Sequence, residues 1–416
     1  MRTRSDIPAP RNVLIIGMNF PPDFGGERGW NIARALKLKG HNVTILTNVP
    51  NFPSGKAQFG YSGRSIVVEL VDSIRIIRVP TFPLPYKGVI SRLLIFTSFS
   101  MGCLLGTPFV RRRIDVIISR GPQPFAEMPA FVFKKLFGAS LLSDITDAWP
   151  EALILVPMNP ILLRALTLAG RLLNALIYEA ADGLITHTSQ LRDIISRYTR
   201  KPIHVLTAAI DLQEFRPLER NVAIEQAPVL AFARDRFTVL YTGMIGVAQG
   251  LETIVEAAAL CSGVLFVVIG GGEHKQKLIE KIRAERIRNF HVLGYQPHDA
   301  MPYLLNSADL CVISLADNPL LGIALPKKFF EYAACGKPII CVSPAGELKR
   351  LVERWKSGCW VPPGRPDLLA AKIDQLASDR RSVEQMGWNA RRMAESLFSL
   401  EAAGEALERI MSASWK

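Results

Sequence analysis

Short apolar runs alternate with amphipathic stretches along the whole chain. The run 13–17 is apolar and has the length of a buried strand, and the stretch 27–39 then carries apolar residues at helical spacing up to Gly40. Further strand-like runs follow, with helical stretches between most of them, at 41–48, 74–79, 116–119, 141–145, 183–187 and 204–206. This alternation predicts a doubly wound, mostly parallel α/β sheet.

The same pattern restarts at Phe237. Apolar runs such as FTVLYTG, VLFVVIGGG and DLCVISLA alternate with helical stretches such as LETIVEAAALC and KKFFEYAAC. The sequence therefore predicts two tandem Rossmann-like domains, 1–207 and 208–397, with a linker rich in proline and charge within 207–236. We expect the helical tail 398–416 to pack back on the first domain, and a ligand to bind between the domains at the carboxyl ends of both sheets.

Composition narrows the class of protein. The chain has 416 residues, of which 49% are hydrophobic and 21% charged, so disorder, collagen and coiled coil are excluded as the main architecture. The 50 Lys and Arg exceed the 37 Asp and Glu by 13, which favours an anionic partner: a phosphate-bearing ligand, a nucleic acid or an acidic membrane. No RNA-binding motif or helix-turn-helix supports the nucleic acid. The six cysteines form no C-x-x-C pair, which is typical of a reduced cytoplasmic protein.

One uncharged segment, 93–110, is followed directly by Arg111, Arg112 and Arg113. Three interpretations are open: a helix packed on the sheet, a monotopic helix that contacts an anionic inner leaflet, and a membrane span. The serines, glycines and proline within the segment weaken insertion. We expect a cytoplasmic protein that is peripheral on the inner face of the plasma membrane.

Glycine turns follow several strands and open helices. Gly25-Gly26 follows the first strand, and Gly243–Gly246 and Gly270–Gly272 follow strands of the second half. Such turns offer backbone N–H groups and a helix N-terminus to an anion or a sugar. Lys327 and Lys328 also stand at a predicted helix N-terminus, which they would destabilise unless an anion such as a diphosphate binds there. Glu331, one turn later, is placed to accept hydrogen bonds from a ribose.

A second candidate site follows the predicted strand 141–145. Asp147 and Glu151 could orient an acceptor hydroxyl group, and Trp149 could stack on a sugar ring. The alternative is a solvated loop anchored by a buried tryptophan.

Several segments resemble glycosyltransferase family four. In the second half these are YTGMIGVAQGLETIVEAA, VVIGGGEHKQKL, NFHVLGYQPHDAMPYLLNSADLCVIS and PKKFFEYAACGKPII, and in the first half NFPPDFGGERGWNIARALKLKGHNVTILT. The segments NVPNFPSGKAQFGY and DITDAWPEA resemble a bacterial subgroup that transfers N-acetyl-fucosamine or fucose in O-antigen, capsule and exopolysaccharide assembly. The resemblance covers nearly the whole chain in the correct order.

The resemblance implies a GT-B fold and metal-independent transfer of a sugar, with retention at the anomeric carbon. The donor is a nucleoside-diphosphate sugar, UDP rather than GDP, and no cofactor is implied; the acceptor is a polyprenyl-diphosphate-linked saccharide. It implies catalytic roles for Asp147, Glu151 and Lys328, and an acceptor site at Gly25, Gly26 and Trp149. The donor-binding residues are then Gly243, Met244, Gly246, Gln249, Gly271, Gly294, Tyr295, Lys327, Lys328 and Glu331.

The sequence departs from the family at four positions, one of which is Thr146, where a histidine often precedes the aspartate of the strand motif. Met244 and Gln249 replace an arginine and a lysine of the first phosphate loop, and Ile323 replaces a glutamate eight residues before Glu331. Lys328 then carries more of the diphosphate charge. Two other interpretations stay open: a membrane-associated scaffold of the same fold that has lost catalysis, and a nucleotide-sugar 2-epimerase.

Overall fold

The computed structural model describes residues 9–23, 25–58, 60–63, 65–121, 125–147, 150 and 159–414, except for the side chain of Val89. The chain forms two compact units. Unit one consists of Met1–Ala209 and Leu400–Lys416, and unit two of Ile210–Ser399. The predicted domain boundaries follow residues 207 and 397. The observed crossings between the units follow residues 209 and 399, two residues later in each case.

Unit one is built on an eight-stranded sheet in the order β3-β4-β2-β1-β5-β6-β7-β8. The pairs are parallel except for β3, which pairs antiparallel with β4. The strands are β1 (Asn12–Ile16), β2 (Asn42–Asn48), β3 (Val67–Val71), β4 (Ile74–Val79), β5 (Val116–Arg120), β6 (Ser140–Ile145), β7 (Gly183–Thr186) and β8 (Ile203–Val205). The central strands are apolar on both faces because helices cover both sides of the sheet.

Six helices of unit one lie within the described residues. They are α1 (Glu27–Leu38), α2 (Val89–Leu105), α3 (Glu127–Phe137), α4 (Pro160–Ala180), α5 (Ser189–Ile195) and α14 (Leu400–Ala413). Helices α2 to α5 contribute to the core on one face of the sheet, and α1 and α14 to the core on the other face. The tail therefore packs on α1, where Gly404 brings the two backbones so close that a Cβ would lie 3.0 Å from the Ala35 carbonyl oxygen.

Unit two contains a six-stranded parallel sheet in the order β11-β10-β9-β12-β13-β14. Its strands are β9 (Phe237–Thr242), β10 (Val264–Ile269), β11 (Phe290–Leu293), β12 (Leu310–Ser314), β13 (Ile339–Val342) and β14 (Gly358–Val361). Its helices are α6 (Arg220–Gln226), α7 (Glu252–Leu260), α8 (Lys275–Ala284), α9 (Met301–Asn306), α10 (Lys327–Ala334), α11 (Glu347–Trp355), α12 (Pro366–Ser378) and α13 (Arg380–Leu397). The predicted fold class, two doubly wound α/β domains, is confirmed.

The fold defines two segments that the sequence left open. The crossing between the units, at 209/210, lies within the predicted linker segment 207–236, which also contains α6; this helix packs on α9, and Arg220 forms an ion pair of 3.1 Å with Asp309. The uncharged segment 93–110 is mostly helix α2, which packs on the sheet through Ile95, Phe99 and Cys103 while its other side is exposed.

Most of the cysteines are buried. All six thiols are free, and all but Cys359 are buried. Burial raises the pKa of Cys335 to about 12, so this thiol is uncharged at neutral pH.

Candidate functional site

Two glycine loops meet at the carboxyl edge of the sheet in unit two. They follow the neighbouring strands β9 and β10, and we call residues 243–246 and 270–273 the glycine edge. The Gly243 amide donates to the Ile269 carbonyl at 2.8 Å, and the Ile245 amide donates to the Gly271 carbonyl at 2.8 Å. A Cβ on Gly270 would lie 1.8 Å from the Gly243 carbonyl oxygen, so the loops need glycine to approach this closely.

Lys328 reaches the glycine edge from the first turn of α10. Its Nζ atom lies 3.7 Å from the ring centroid of Tyr241 and would be 2.9 Å from a Cβ on Gly243. The Tyr241 hydroxyl donates to the Met244 carbonyl at 2.6 Å, which fixes the ring beneath the ammonium group. Burial lowers the pKa of Lys328 to about 7, against the opposing effect of the Glu331 charge. An anion bound here would therefore contact an ammonium group whose position is fixed and whose positive charge the protein itself compensates poorly.

The glycine edge also carries backbone N–H donors. Within the described part of the chain, the N–H groups of Met244, Gly271 and Gly272 donate no hydrogen bond, and they are available to a ligand. The Met244 side chain is 66% exposed and adds no charge. Gln249 is turned inward, since its Oε1 accepts from the Gly246 amide at 3.1 Å. The glycine edge thus offers Lys328 and backbone amides, and neither Met244 nor Gln249 replaces the missing cations.

Glu331 lies one turn further along α10 and is buried. Lys327 Nζ is 3.2 Å from its Oε1 atom, and His298 Nε2 is 3.4 Å from the same oxygen. Burial raises the pKa of Glu331, but the His298 hydrogen bond and the Lys327 charge outweigh that effect and lower it, so the carboxylate is ionised at neutral pH. Lys327 Nζ also lies 2.7 Å from His298 Nε2, so it contacts both Glu331 and His298 rather than pointing freely outward.

The sequence analysis did not single out His298. This side chain stands on the turn before α9, 3.6 Å from a Glu214 oxygen and edge-on to Phe215. Only the fold brings it to Glu331, which is 33 residues away in the chain. Gly294 and Tyr295 follow β11 at the same edge of the sheet, where Tyr295 is 69% exposed.

In unit one, a buried ion cluster occupies the carboxyl ends of β5 and β6. Asp144 receives two hydrogen bonds from Arg28, of 2.8 Å from Nη2 and 2.9 Å from Nε. Burial raises the pKa of Asp144, but Arg28 and Arg120 outweigh it and lower the pKa overall. Because burial also lowers the pKa of His187 to about 4, this imidazole is neutral. The sequence analysis assigned no part in the site to Arg28, Arg120, Asp144 or His187.

The predicted acceptor-site residues lie near this cluster to different degrees. Asp147 follows β6, is exposed, and lies close enough to Arg120 to attract its charge. Gly25 has a φ of 97°, and a Cβ on Gly26 would lie 2.1 Å from the Asn19 carbonyl oxygen, so both glycines are required by the turn itself. Trp149 and Glu151 lie outside the described residues. No group of three or more His, Cys, Asp or Glu side chains could hold a metal ion in the described ranges.

Each unit matches the sequence profile of a known family. Residues 25–209 match "Glycosyl transferase 4-like domain", and residues 223–393 match "Glycosyl transferases group 1". Together the two profiles span most of both units. The chain is a GT-B glycosyltransferase of family four.

Individual proteins agree with this assignment. The chain is 25% identical over 383 residues to the putative colanic acid biosynthesis glycosyl transferase WcaI of Escherichia coli K12, which covers 87% of this chain and 91% of that protein. Its fold is similar to sucrose-phosphate synthase from Thermosynechococcus elongatus, with a TM-score of 0.76, 18% identity, and 97% and 98% of the two chains covered. Anabaena HepE in complex with UDP-glucose gives a TM-score of 0.66 at 14% identity, with 97% and 100% covered.

Proposed function

We propose that this chain transfers a glycosyl group from a nucleoside-diphosphate sugar to a polyprenyl-diphosphate-linked saccharide in the biosynthesis of a cell-surface polysaccharide. The single observation that carries the proposal is Lys328, a largely buried ammonium group beside the open N–H groups of the glycine edge. Such a site is complementary to a diphosphate and becomes more so as negative charge develops on the leaving group. Glu331 lies one helical turn further along α10, and we assign it to the ribose hydroxyl groups.

The proposed reaction breaks the bond between the anomeric carbon and the diphosphate oxygen and forms a bond from that carbon to an acceptor oxygen. The bonding electrons leave with the nucleoside diphosphate, and the proton lost by the acceptor hydroxyl passes to the departing diphosphate. Lys328 and the amides of the glycine edge stabilise the leaving diphosphate, which lets the reaction proceed without a metal ion. We propose retention at the anomeric carbon on the basis of the family resemblance alone.

Relatives support the donor and pathway class. WcaI is named for colanic acid biosynthesis, and HepE has been solved with UDP-glucose. We therefore propose that the nucleotide of the donor is UDP and that the product is an envelope polysaccharide. The sugar transferred is a 6-deoxy or N-acetylamino sugar. Because the proposed acceptor is carried by lipid, we also propose that the protein acts in the cytoplasm at the inner face of the plasma membrane, in keeping with the net charge of +13.

A turnover assay tests this function. The full chain is incubated with UDP- and GDP-sugars and a lipid extract containing polyprenyl-diphosphate saccharides, and release of the nucleoside diphosphate is measured. We expect release that depends on the lipid extract and is lost in Lys328→Met. As a matched control we use Lys349→Met, because Lys349 also stacks on an aromatic ring, Trp360 at 4.1 Å, but stands in α11 away from the glycine edge.

The outcomes separate the alternatives. Conversion of the sugar without a need for lipid acceptor would indicate an epimerase. Nucleotide binding without any turnover would indicate a scaffold that has lost catalysis. Equal turnover by Lys328→Met and the wild type would refute the role proposed for the glycine edge.

A further inference from the structure

Helix α4 presents its apolar side outward. The residues that it buries against unit one are Gly170, Asn174 and Tyr178, spaced four apart along one side of the helix. The large apolar side chains are exposed instead, up to 79% for Ile161: Ile161, Leu162, Leu166, Leu168, Leu172, Leu173 and Leu176. A surface helix of a globular protein normally shows the opposite arrangement. Within the described part of the chain, α4 is also the one helix long and apolar enough to cross a membrane.

The helix is nevertheless well anchored to its unit. The Asn159 side chain caps the N-terminus by accepting from the Ile161 amide at 2.8 Å. At the other end, Lys134 of α3 donates to the Ala180 carbonyl at 2.9 Å. The exposed leucines therefore belong to a helix with both ends capped and one side packed. A full span would remove Asn174 and Tyr178 from their buried places, so a position in the plane of a membrane fits better.

Neighbouring helices extend the same apolar surface. Helices α2 and α3 cover the same face of the sheet as α4 and also expose large apolar side chains: Ile90, Leu93, Leu94, Met101, Leu104 and Leu105 on α2, and Met128, Phe131, Val132 and Leu136 on α3. We call this surface the α2–α4 face. Soluble monomers rarely expose so much contiguous apolar area without a partner.

Charge indicates which partner covers the α2–α4 face. Arg111, Arg112, Arg113, Arg164 and Arg171 are exposed in or beside these helices. Helix α2 contains no acidic residue and Glu127 of α3 is buried, which leaves Glu179 as the exposed acid of the three described helices. A second copy of the chain would bring like charges together, whereas an anionic lipid surface offers opposite charge and acyl chains at once.

We propose that α4 lies in the interfacial region of an anionic membrane, with its leucines among the acyl chains and its arginines at the headgroups. The inference rests on the proposed function in one respect, that the acceptor is carried by lipid. It assigns the main contact to α4, whereas the sequence offered the segment 93–110 as one candidate; that segment supplies the adjoining edge of the surface.

Vesicle co-sedimentation of the full chain tests this proposal. The vesicles contain phosphatidylcholine with or without phosphatidylglycerol. The test variant is Leu168→Ser/Leu172→Ser/Leu176→Ser, and the control in unit two, also at exposed leucines, is Leu260→Ser/Leu368→Ser/Leu397→Ser. We expect the α4 variant to lose at least tenfold in partitioning onto anionic vesicles and the control to match the wild type. Thermal stabilisation by UDP, measured on each variant, reports folding and donor binding independently of the membrane.

Two results would overturn the proposal. The first is equal vesicle binding by the α4 variant and the wild type. The second is a wild-type dimer in solution that ignores vesicles and becomes monomeric in the α4 variant, which would make a second copy the occupant. If the proposed membrane contact of α4 is correct and the transferase function is wrong, vesicle binding persists while nucleotide binding and turnover fail.

A different observation, at the carboxyl edge of the sheet in unit one, carries a second inference. Arg120 is a second cation beside Asp144, whose carboxylate is already paired with Arg28. The Arg120 Nε atom is 3.5 Å from Asp144 Oδ2, and this buried nitrogen has no hydrogen-bond partner among the described residues. Arg28, in contrast, also donates to the Leu206 and Thr207 carbonyls.

The fold makes room for this guanidinium group. A Cβ on Gly17 would lie 2.9 Å from Arg120 Cγ, and one on Gly29 would lie 2.9 Å from Cδ. Among the described residues, two cations share one buried carboxylate, which leaves an excess of positive charge at this point. Asp147 attracts this charge but is itself exposed. A buried charge that is only partly compensated is costly, and an anionic ligand would reduce that cost.

We infer that Arg120 binds an anionic phosphate group of the acceptor. The inference rests on the proposed function, because a polyprenyl-diphosphate saccharide offers such a group. Calorimetric titration of the full chain with inorganic pyrophosphate, at saturating UDP to fill the donor site, tests it. We expect Arg120→Gln to weaken pyrophosphate binding at least tenfold and the exposed control Arg197→Gln to leave it unchanged. UDP affinity should stay the same in both variants.

The melting temperature without ligand distinguishes a binding role from a structural one. Removal of an excess buried charge should leave the melting temperature of Arg120→Gln unchanged or higher, since the Arg28–Asp144 pair remains. A clear drop, or unaltered pyrophosphate binding, would overturn the inference. Competition by farnesyl diphosphate for the same Arg120-dependent site would identify a lipid diphosphate as the source, and binding of pyrophosphate alone a soluble one.

Discussion

Substitution of Lys328 by Met removes the ammonium group at the glycine edge and keeps most of the side-chain volume over Tyr241. Hydrogen bonds to charged groups contribute about 1.5–3 kcal/mol, so the variant should bind nucleoside diphosphate roughly 10- to 150-fold more weakly at pH 6.5. Lys349→Met, the stacked lysine of α11, should bind as the wild type does.

The pH dependence of this effect gives a sharper test. Because the pKa of free Lys328 is about 7, the amine is mostly neutral at pH 8.5, and a bound diphosphate must restore its proton. Each pH unit above 7 then costs about 1.4 kcal/mol, so wild-type affinity should fall about tenfold per unit. The second phosphate ionisation, near pH 6, is already complete in this range. Isothermal titration calorimetry between pH 6.5 and 9 should show the wild type converging on a nearly pH-independent Lys328→Met. A wild-type affinity that does not change with pH would refute the reasoning.

Three further predictions concern other parts of the molecule. If Glu331 binds the ribose as proposed, Glu331→Gln should weaken binding of a nucleoside diphosphate by about tenfold but leave binding of inorganic pyrophosphate unchanged; equal losses in calorimetry would contradict this. Gly270→Ala should lower unfolding free energy by at least about 2 kcal/mol, since its φ is 150° and its Cβ would meet the Gly243 carbonyl, whereas Gly263→Ala, which faces open space, should cost far less in denaturant titrations. His187 has its pKa lowered to about 4, so the unfolded chain binds a proton first as pH falls, and stability should drop by about 3 kcal/mol between pH 6.5 and 4. His187→Gln should reduce that slope in urea titrations.

The periodic part of the fold is predictable because its physics is local. Strands β1 and β9 lie in the middle of parallel sheets, so they are continuous apolar runs that stand out in the sequence. Strand β3 (Val67–Val71) was missed because it is a half-exposed edge strand without such a run. The sequence located the linker only to within 207–236, because the Arg220–Asp309 pair that ties most of this segment to unit two joins residues 89 positions apart.

Some residues of the candidate site are likewise predictable from the sequence, and others are not. The glycine turns, Lys328 and Glu331 are visible in the sequence because they stand at the ends of predicted strands and at a helix start. His298 and Arg120 act through partners that only the fold brings near, Glu331 and Asp144. The apolar composition of α4 is plain in the sequence, but the side that it turns to the unit depends on where Asn174 and Tyr178 find partners.

The most direct test of the account is a thermal-shift comparison of UDP, GDP, TDP, ADP and CMP on the wild type, Lys328→Met and Lys349→Met. A ligand that binds only the folded protein raises its melting temperature. The account predicts a selective rise with one nucleoside diphosphate, UDP first, that persists in Lys349→Met and is much reduced in Lys328→Met. No rise with any nucleoside diphosphate on the folded wild type, or the same rise in Lys328→Met, would contradict the donor site and the transferase function built on it.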